Sequence, residues 1–161
     1  MNEQSLFSQY EFVRQGILRT INDVTEEMAK EIPGGFPHNI LWQIGHVYVS
    51  LEQIVFHFAG EQVNLPEGYA ELFSRGTSPA DWKTEPPTLE TLRLQLSDQM
   101  DRLKQTFANR LDEKIAQPFK AGPLKLDTIG ELVLFSLFHE SEHVGGIKGL
   151  KNGLKILEKN K

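Results

Sequence analysis

Thr128-Ile129-Gly130-Glu131-Leu132-Val133-Leu134-Phe135-Ser136-Leu137-Phe138-His139-Glu140-Ser141-Glu142-His143 carries both the fold class and the chemistry of this chain. A threonine followed three residues later by a glutamate has the spacing of a capping box, which opens a helix. Ile129, Leu132, Phe135 and Phe138 then recur every three residues, and His139, Glu142, His143 and Gly146 continue the same side. That period belongs to an α-helix with one face turned to a core. Residues four apart on a helix differ by roughly 40° about its axis and one turn along it. The imidazoles of His139 and His143 therefore converge from one side, within an inward stripe. Two buried imidazoles without a shared partner are costly, and a cation between them removes that cost.

Three earlier segments carry the same period. Leu6, Tyr10, Val13, Ile17, Ile21, Val24 and Met28 predict one long first helix that ends near Ile32, before Pro33-Gly34-Gly35. A second helix starts after Pro37 with Asn39 as its N-cap; Ile40, Ile44, Val47, Leu51, Ile54, Val55 and Phe58 form its stripe, and Gly60 closes it. The third is capped by Thr88 and carries Leu89, Leu92, Leu96, Met100, Leu103, Phe107 and Leu111. None of these stretches alternates as a strand does. The 27 residues from Glu61 to Pro87, rich in Pro and Gly, are too many for a plain connector. A short helix around Tyr69 to Phe73 is expected there, folded over one end of the bundle. The chain reads as one all-α four-helix bundle, a single domain over residues 1–161, with a long connector between helices two and three.

Two ligands make a poor site, and only His38, His46 and His57 remain to supply a third. His46 sits mid-helix beside Gly45, whose missing side chain lets a neighbour approach. His57 returns to nearly the same face but lies roughly 16 Å along the axis. His38 falls at or before the helix start, where a surface or capping role is expected. By elimination His46 joins His139 and His143. Three neutral nitrogens leave a coordination position open, as catalytic sites do, and imidazole suits zinc and nickel. Glu140, Glu142, Gln43 and Gln53 are candidates to bind the remaining ring nitrogens.

The 161 residues suffice for one buried core, and 39% hydrophobic with 24% charged residues is a globular composition. A net charge of −5 repels phosphate backbones, so nucleic acid is not an expected partner. With no cysteine, disulfides, thiolate ligands and an enzyme-borne thiol nucleophile are all excluded. Met1-Asn2-Glu3-Gln4-Ser5 has neither the basic start nor the apolar run of a signal peptide, and no apolar stretch approaches a membrane span, so a cytoplasmic protein without membrane contact is expected.

His139-Glu140-Ser141-Glu142-His143 also satisfies the HExxH and HxxEH patterns of zinc proteases, but no histidine follows His143 to complete such a site. Glu140 and His143 form one Glu-x-x-His unit of a di-iron bundle; the matching position before His46 is Gln43, so a single-metal site stands.

Asn39-Ile40-Leu41-Trp42-Gln43-Ile44-Gly45-His46 resembles the tryptophan-then-glycine-histidine signature of the DinB-like (YfiT-related) superfamily. His139 to Gly146 resembles its HxxxH-and-glycine signature, and Leu72-Phe73-Ser74-Arg75-Gly76 is similar to a weaker element of its long connector. Gly146 departs from the polar residue that relatives often carry there. The resemblance implies an up-and-down-like four-helix bundle, a three-histidine site commonly filled by zinc or nickel, and a homodimer. Characterised relatives include S-transferases that use low-molecular-weight thiols such as bacillithiol or mycothiol, and a thiol-dependent isomerase. The expected function is thus metal-dependent transfer of a small thiol to an electrophilic small molecule, with Glu140 or Glu142 steering protons. Hydrolysis by metal-bound hydroxide and a non-catalytic, metal-pinned dimer are the alternatives.

Overall fold

The structure is a computed structural model that describes residues 2–159, so Met1 and the last two residues of the expected 1–161 domain lie outside it. It is mostly helical. Four long helices, α1 (Glu3–Thr20), α3 (Ile40–Leu51), α5 (Leu89–Phe107) and α6 (Ile129–Lys159), are joined by the short α2 (Glu26–Lys30) and α4 (Tyr69–Phe73). The long helices close a ring in the order α1, α6, α3, α5. No described helix is long and apolar enough to cross a membrane.

Several ends form as the side chains dictate. The Asn39 side chain accepts from Trp42 N–H and that of Thr88 from Thr91 N–H. The Glu131 carboxylate accepts from the backbone N–H groups of Asp127 and Thr128, and Glu131 N–H bonds the Thr128 hydroxyl.

The first helix is not continuous to Ile32. It stops at Thr20, and Thr25 caps the new turn of α2 by accepting from Met28 N–H. Thr20-Ile21-Asn22-Asp23 are all weak helix formers. The carbonyls freed by the break are taken from elsewhere: Lys151 donates to Thr20 O at 2.6 Å and Arg93 to Ile21 O at 3.0 Å. The second helix widens into a π-turn over Glu52–Phe56. The wider turn sends Phe56, instead of the expected Phe58, into the core.

The all-helical expectation fails between α5 and α6. Lys114–Ala121 (β1) and Leu124–Thr128 (β2) form an antiparallel hairpin. Gly122 at φ +58° precedes Pro123, whose ring holds φ near −65°, so the turn is positive at its first central residue alone, as in type II′. The register slips between Lys114 and Phe119, around Pro118, which has no N–H to give a ladder.

Two apolar clusters fill the interior. One holds Ile17, Ile21, Ile40, Ile44, Val47, Leu92, Leu96, Ile147 and Leu150. The other holds Leu6, Tyr10, Leu51, Val55, Met100, Leu103, Phe107, Ile129 and Leu132. Along α1 and α6 the chain passes from the second cluster to the first; along α3 and α5 it passes the other way. Helix sense is therefore up, down, down, up, which departs from the expected up-and-down order. Two successive helices of the same sense need a long crossover, and this is the task of residues 61–87. They do not cap an end. They run back beside α3, with α4 packed on it and the Phe73 ring lying where a Cβ on Gly45 would be, 2.4 Å away.

Between the two clusters lies a belt of buried polar residues: Arg14 from α1, His46 and Ser50 from α3, Gln99 from α5, Ser136 and Glu140 from α6, and Glu52 from the π-turn.

Candidate metal centre

His46 reaches the belt from α3, and His139 and His143 reach it from successive turns of α6. The three offer ring nitrogens that all lie within 4.8 Å of one another. His139 Nε2 is 3.3 Å from His46 Nε2 and 3.2 Å from His143 Nε2. Nitrogens held about 2.0–2.1 Å from one tetrahedral ion are spaced by roughly 3.3–3.4 Å, so these two separations are already those of a coordination sphere.

The far side of two rings fixes their tautomers. His46 Nδ1–H donates to Phe73 O at 2.7 Å, and His143 Nδ1–H donates to Gln43 Oε1 at 2.5 Å. Each leaves a lone pair on Nε2, aimed at the common point. Burial, aided by the neighbouring imidazoles, pushes the pKa of His46 down to about 4 and that of His143 down to about 3. His139 is also lowered by burial, with the carboxylates of Glu142 and Glu140 opposing. All three are neutral donors at pH 7, and the set fits a divalent ion.

Two glycines make room for the outer acceptors. A Cβ on Gly45 would overlap the Phe73 ring, whose backbone carbonyl serves His46. A Cβ on Gly146 would press on Gln43 Oε1 at 3.1 Å, the acceptor for His143. Trp42 stacks on His46 with centroids 4.6 Å apart, and His38 stacks on Trp42 at 3.7 Å. His38 is thus half-buried and not at the surface; its Nε2 lies 3.2 Å from Thr77 O, away from the cluster. His57 is exposed and takes no part.

The other candidates divide. Gln43 is at the centre and Gln53 lines the cleft beside it, donating to Ser74 Oγ at 3.1 Å. Glu140 follows His139 by one residue, a turn of roughly 100° that carries it to the α1 side. There it receives Arg14 Nε at 2.6 Å and Nη2 at 2.9 Å. Glu142 is exposed.

The centre opens into a cleft of about 450 Å³. His46, His139, Ser50 and Gln53 form its floor, Ile54, Phe58 and Phe135 its wall, and Arg75 with Phe119 to Gly122 its rim. The connector contributes Arg75 to the mouth, and the hairpin, which the all-helical reading did not foresee, supplies Phe119, Lys120, Ala121 and Gly122. The signal for it was Ala121-Gly122-Pro123-Leu124, a turn between residues of strand-like spacing. Phe73 was overlooked because a backbone carbonyl leaves no mark in the sequence.

No curated protein matches the chain. The family model described as DinB superfamily matches residues 9–147, and the chain belongs to that superfamily. Membership and the three-histidine group together fit a family of metal-binding enzymes.

Proposed function

We propose that this member of the DinB superfamily is a metal-dependent enzyme that transfers a low-molecular-weight thiol to an electrophilic small molecule, on a single domain built as a four-helix bundle. The observation that carries this reading is the convergence of three neutral imidazoles, two of which, His46 and His139, line an open cleft. Structural sites are closed by protein ligands, whereas three ligands beside a cleft leave room for a reactant. A divalent ion bound there, zinc or nickel by the donor set, lowers the pKa of a coordinated thiol. The chain has no cysteine, so the thiol comes from solution.

His46, His139 and His143 hold the ion, while Phe73 O and Gln43 Oε1 keep two of the rings in the ligating tautomer. Ser50 Oγ, 3.2 Å from His46 Nε2, stands at the floor where a thiol proton departs. Glu140 is committed to Arg14, which leaves exposed Glu142 as the carboxylate free to pass protons to solvent. Phe58, Phe119 and Phe135 hold the electrophile against the centre and keep water from it.

The test is to follow thiol consumption by zinc- and nickel-loaded protein with a panel of thiols and model electrophiles. Turnover should require metal and vanish in His139→Ala. Protein of full metal content that consumes no thiol across the panel ends the proposal; turnover without thiol would favour hydrolysis.

A further inference from the structure

Ser50 follows His46 by one turn of α3, so the two side chains leave the same face, roughly 40° apart about the axis. Both are buried, and both line the cleft. Ser50 Oγ lies 3.2 Å from His46 Nε2, as close as the imidazole nitrogens lie to one another at 3.2 and 3.3 Å. Because His46 Nδ1–H donates to Phe73 O, Nε2 carries a lone pair, and Ser50 is the donor in this contact. Two other helical hydroxyls behave differently. Thr20 and Ser141 each donate to the carbonyl four residues back, at 2.7 and 2.8 Å.

The lone pair that Ser50 uses is the one a divalent ion takes. With Nε2 committed to the ion, the hydroxyl proton needs another acceptor, and a buried donor left without one is costly. No carboxylate lines the cleft, and Gln53, the other neutral polar side chain there, is engaged with Ser74 at 3.1 Å. Nor does Ser50 make a fourth ligand, since zinc draws on imidazole, thiolate and carboxylate in preference to a neutral hydroxyl. One ligand spacing from His46 Nε2, the hydroxyl stands beside the open coordination position.

We infer that Ser50 is a specificity-determining residue of this centre: its hydroxyl donates to the reactant atom that fills the open position, and so selects reactants that arrive there as anions with a lone pair to spare. A thiolate sulfur meets that condition. A donor atom whose single lone pair is spent on the ion does not. The inference rests on the proposed function only for sulfur being that atom; the preference for an anion stands on the contact between Ser50 and His46.

The experiment titrates cobalt(II)-loaded wild type and Ser50→Ala with azide, ethanethiol and pyridine, following the cobalt absorption. Azide and thiolate keep lone pairs after coordination, whereas pyridine keeps none. Azide and ethanethiol should each bind about tenfold more weakly to the variant, the scale of a hydrogen bond to a charged group, while pyridine binds as before. Alanine is the best helix former and removes only the hydroxyl, so the fold is kept, and retained cobalt verifies the centre. An unchanged azide affinity, as expected of a hydroxyl that folds back onto its own helix, would overturn the inference. An equal loss for pyridine, or azide that fails to bind the wild type, would do the same. Azide weakened in the variant, with no sulfur-to-cobalt band from ethanethiol in either protein, supports the inference and sinks the thiol reading.

Discussion

Two polar clusters share the belt between the apolar halves of this molecule, and adjacent residues of α6 belong to each. Glu140 enters a network in which donors meet acceptors. Arg14 gives two hydrogen bonds to Glu140 and another to Leu96 O; Gln99 donates to Tyr48 O and to Glu52; Arg102 and Asn64 N–H complete the Glu52 carboxylate. His139 enters a group in which the lone pairs of His46 Nε2 and His143 Nε2 both converge on its own Nε2, more than a single N–H can serve. A buried network with every partner present is complete as it stands. A buried group of like acceptors is complete only when a cation arrives. Burial of polar residues by itself thus says little about function, and the match between donors and acceptors says much.

The largest effect expected is on the closed cluster. Arg14→Leu strands the Glu140 carboxylate in the core and should cost about 3–5 kcal/mol in urea unfolding. Chelator should leave that loss unchanged, and adding Glu140→Leu should recover most of it. A loss that depends on metal would erase the distinction between the clusters. The open cluster should respond in the opposite manner. With free zinc at a hundred times its Kd, the wild type should gain about 2.7 kcal/mol over the chelated protein, and His139→Ala should gain nothing.

Smaller changes probe how the open cluster is held. Gly45→Ala forces Phe73 outward and should cost about 1–3 kcal/mol, with weaker metal binding as the Phe73 carbonyl leaves His46. Gln43→Ala removes the acceptor for His143 and should weaken metal affinity about 10–100-fold with little change in chelated stability. Equal affinity would show that the outer acceptor does not set the tautomer. In chelated protein, His46 and His143 titrate near 4 and near 3 when folded. The unfolded chain takes up their protons near pH 6.5, so below that pH it binds more protons than the folded one. Stability of the chelated protein should therefore fall as pH drops from about 6.5, by at most about 1.4 kcal/mol per pH unit for each histidine, and His46→Ala should flatten the slope.

The histidine grouping was legible because helix geometry is local: four residues along α6 place two rings together, and few histidines were left for the third place. Asn39, Thr88 and Thr128 were legible for the same reason, since a cap acts within one turn. The break after Thr20 was not, because Arg93 and Lys151 come from distant helices to take its carbonyls. The role of Glu140 was hidden too. It depends on Arg14, 126 residues away, and the sequence period gives its face without its partner. The hairpin escaped because its alternation is interrupted by Pro118 and by the register slip.

The central claim is that His46, His139 and His143 hold one divalent ion. Elemental analysis of protein purified without a nickel column tests it most directly. One ion per chain is expected in the wild type and in His57→Ala, and far less than one in His46→Ala, His139→Ala and His143→Ala. Full metal content in both His46→Ala and His139→Ala would contradict the account.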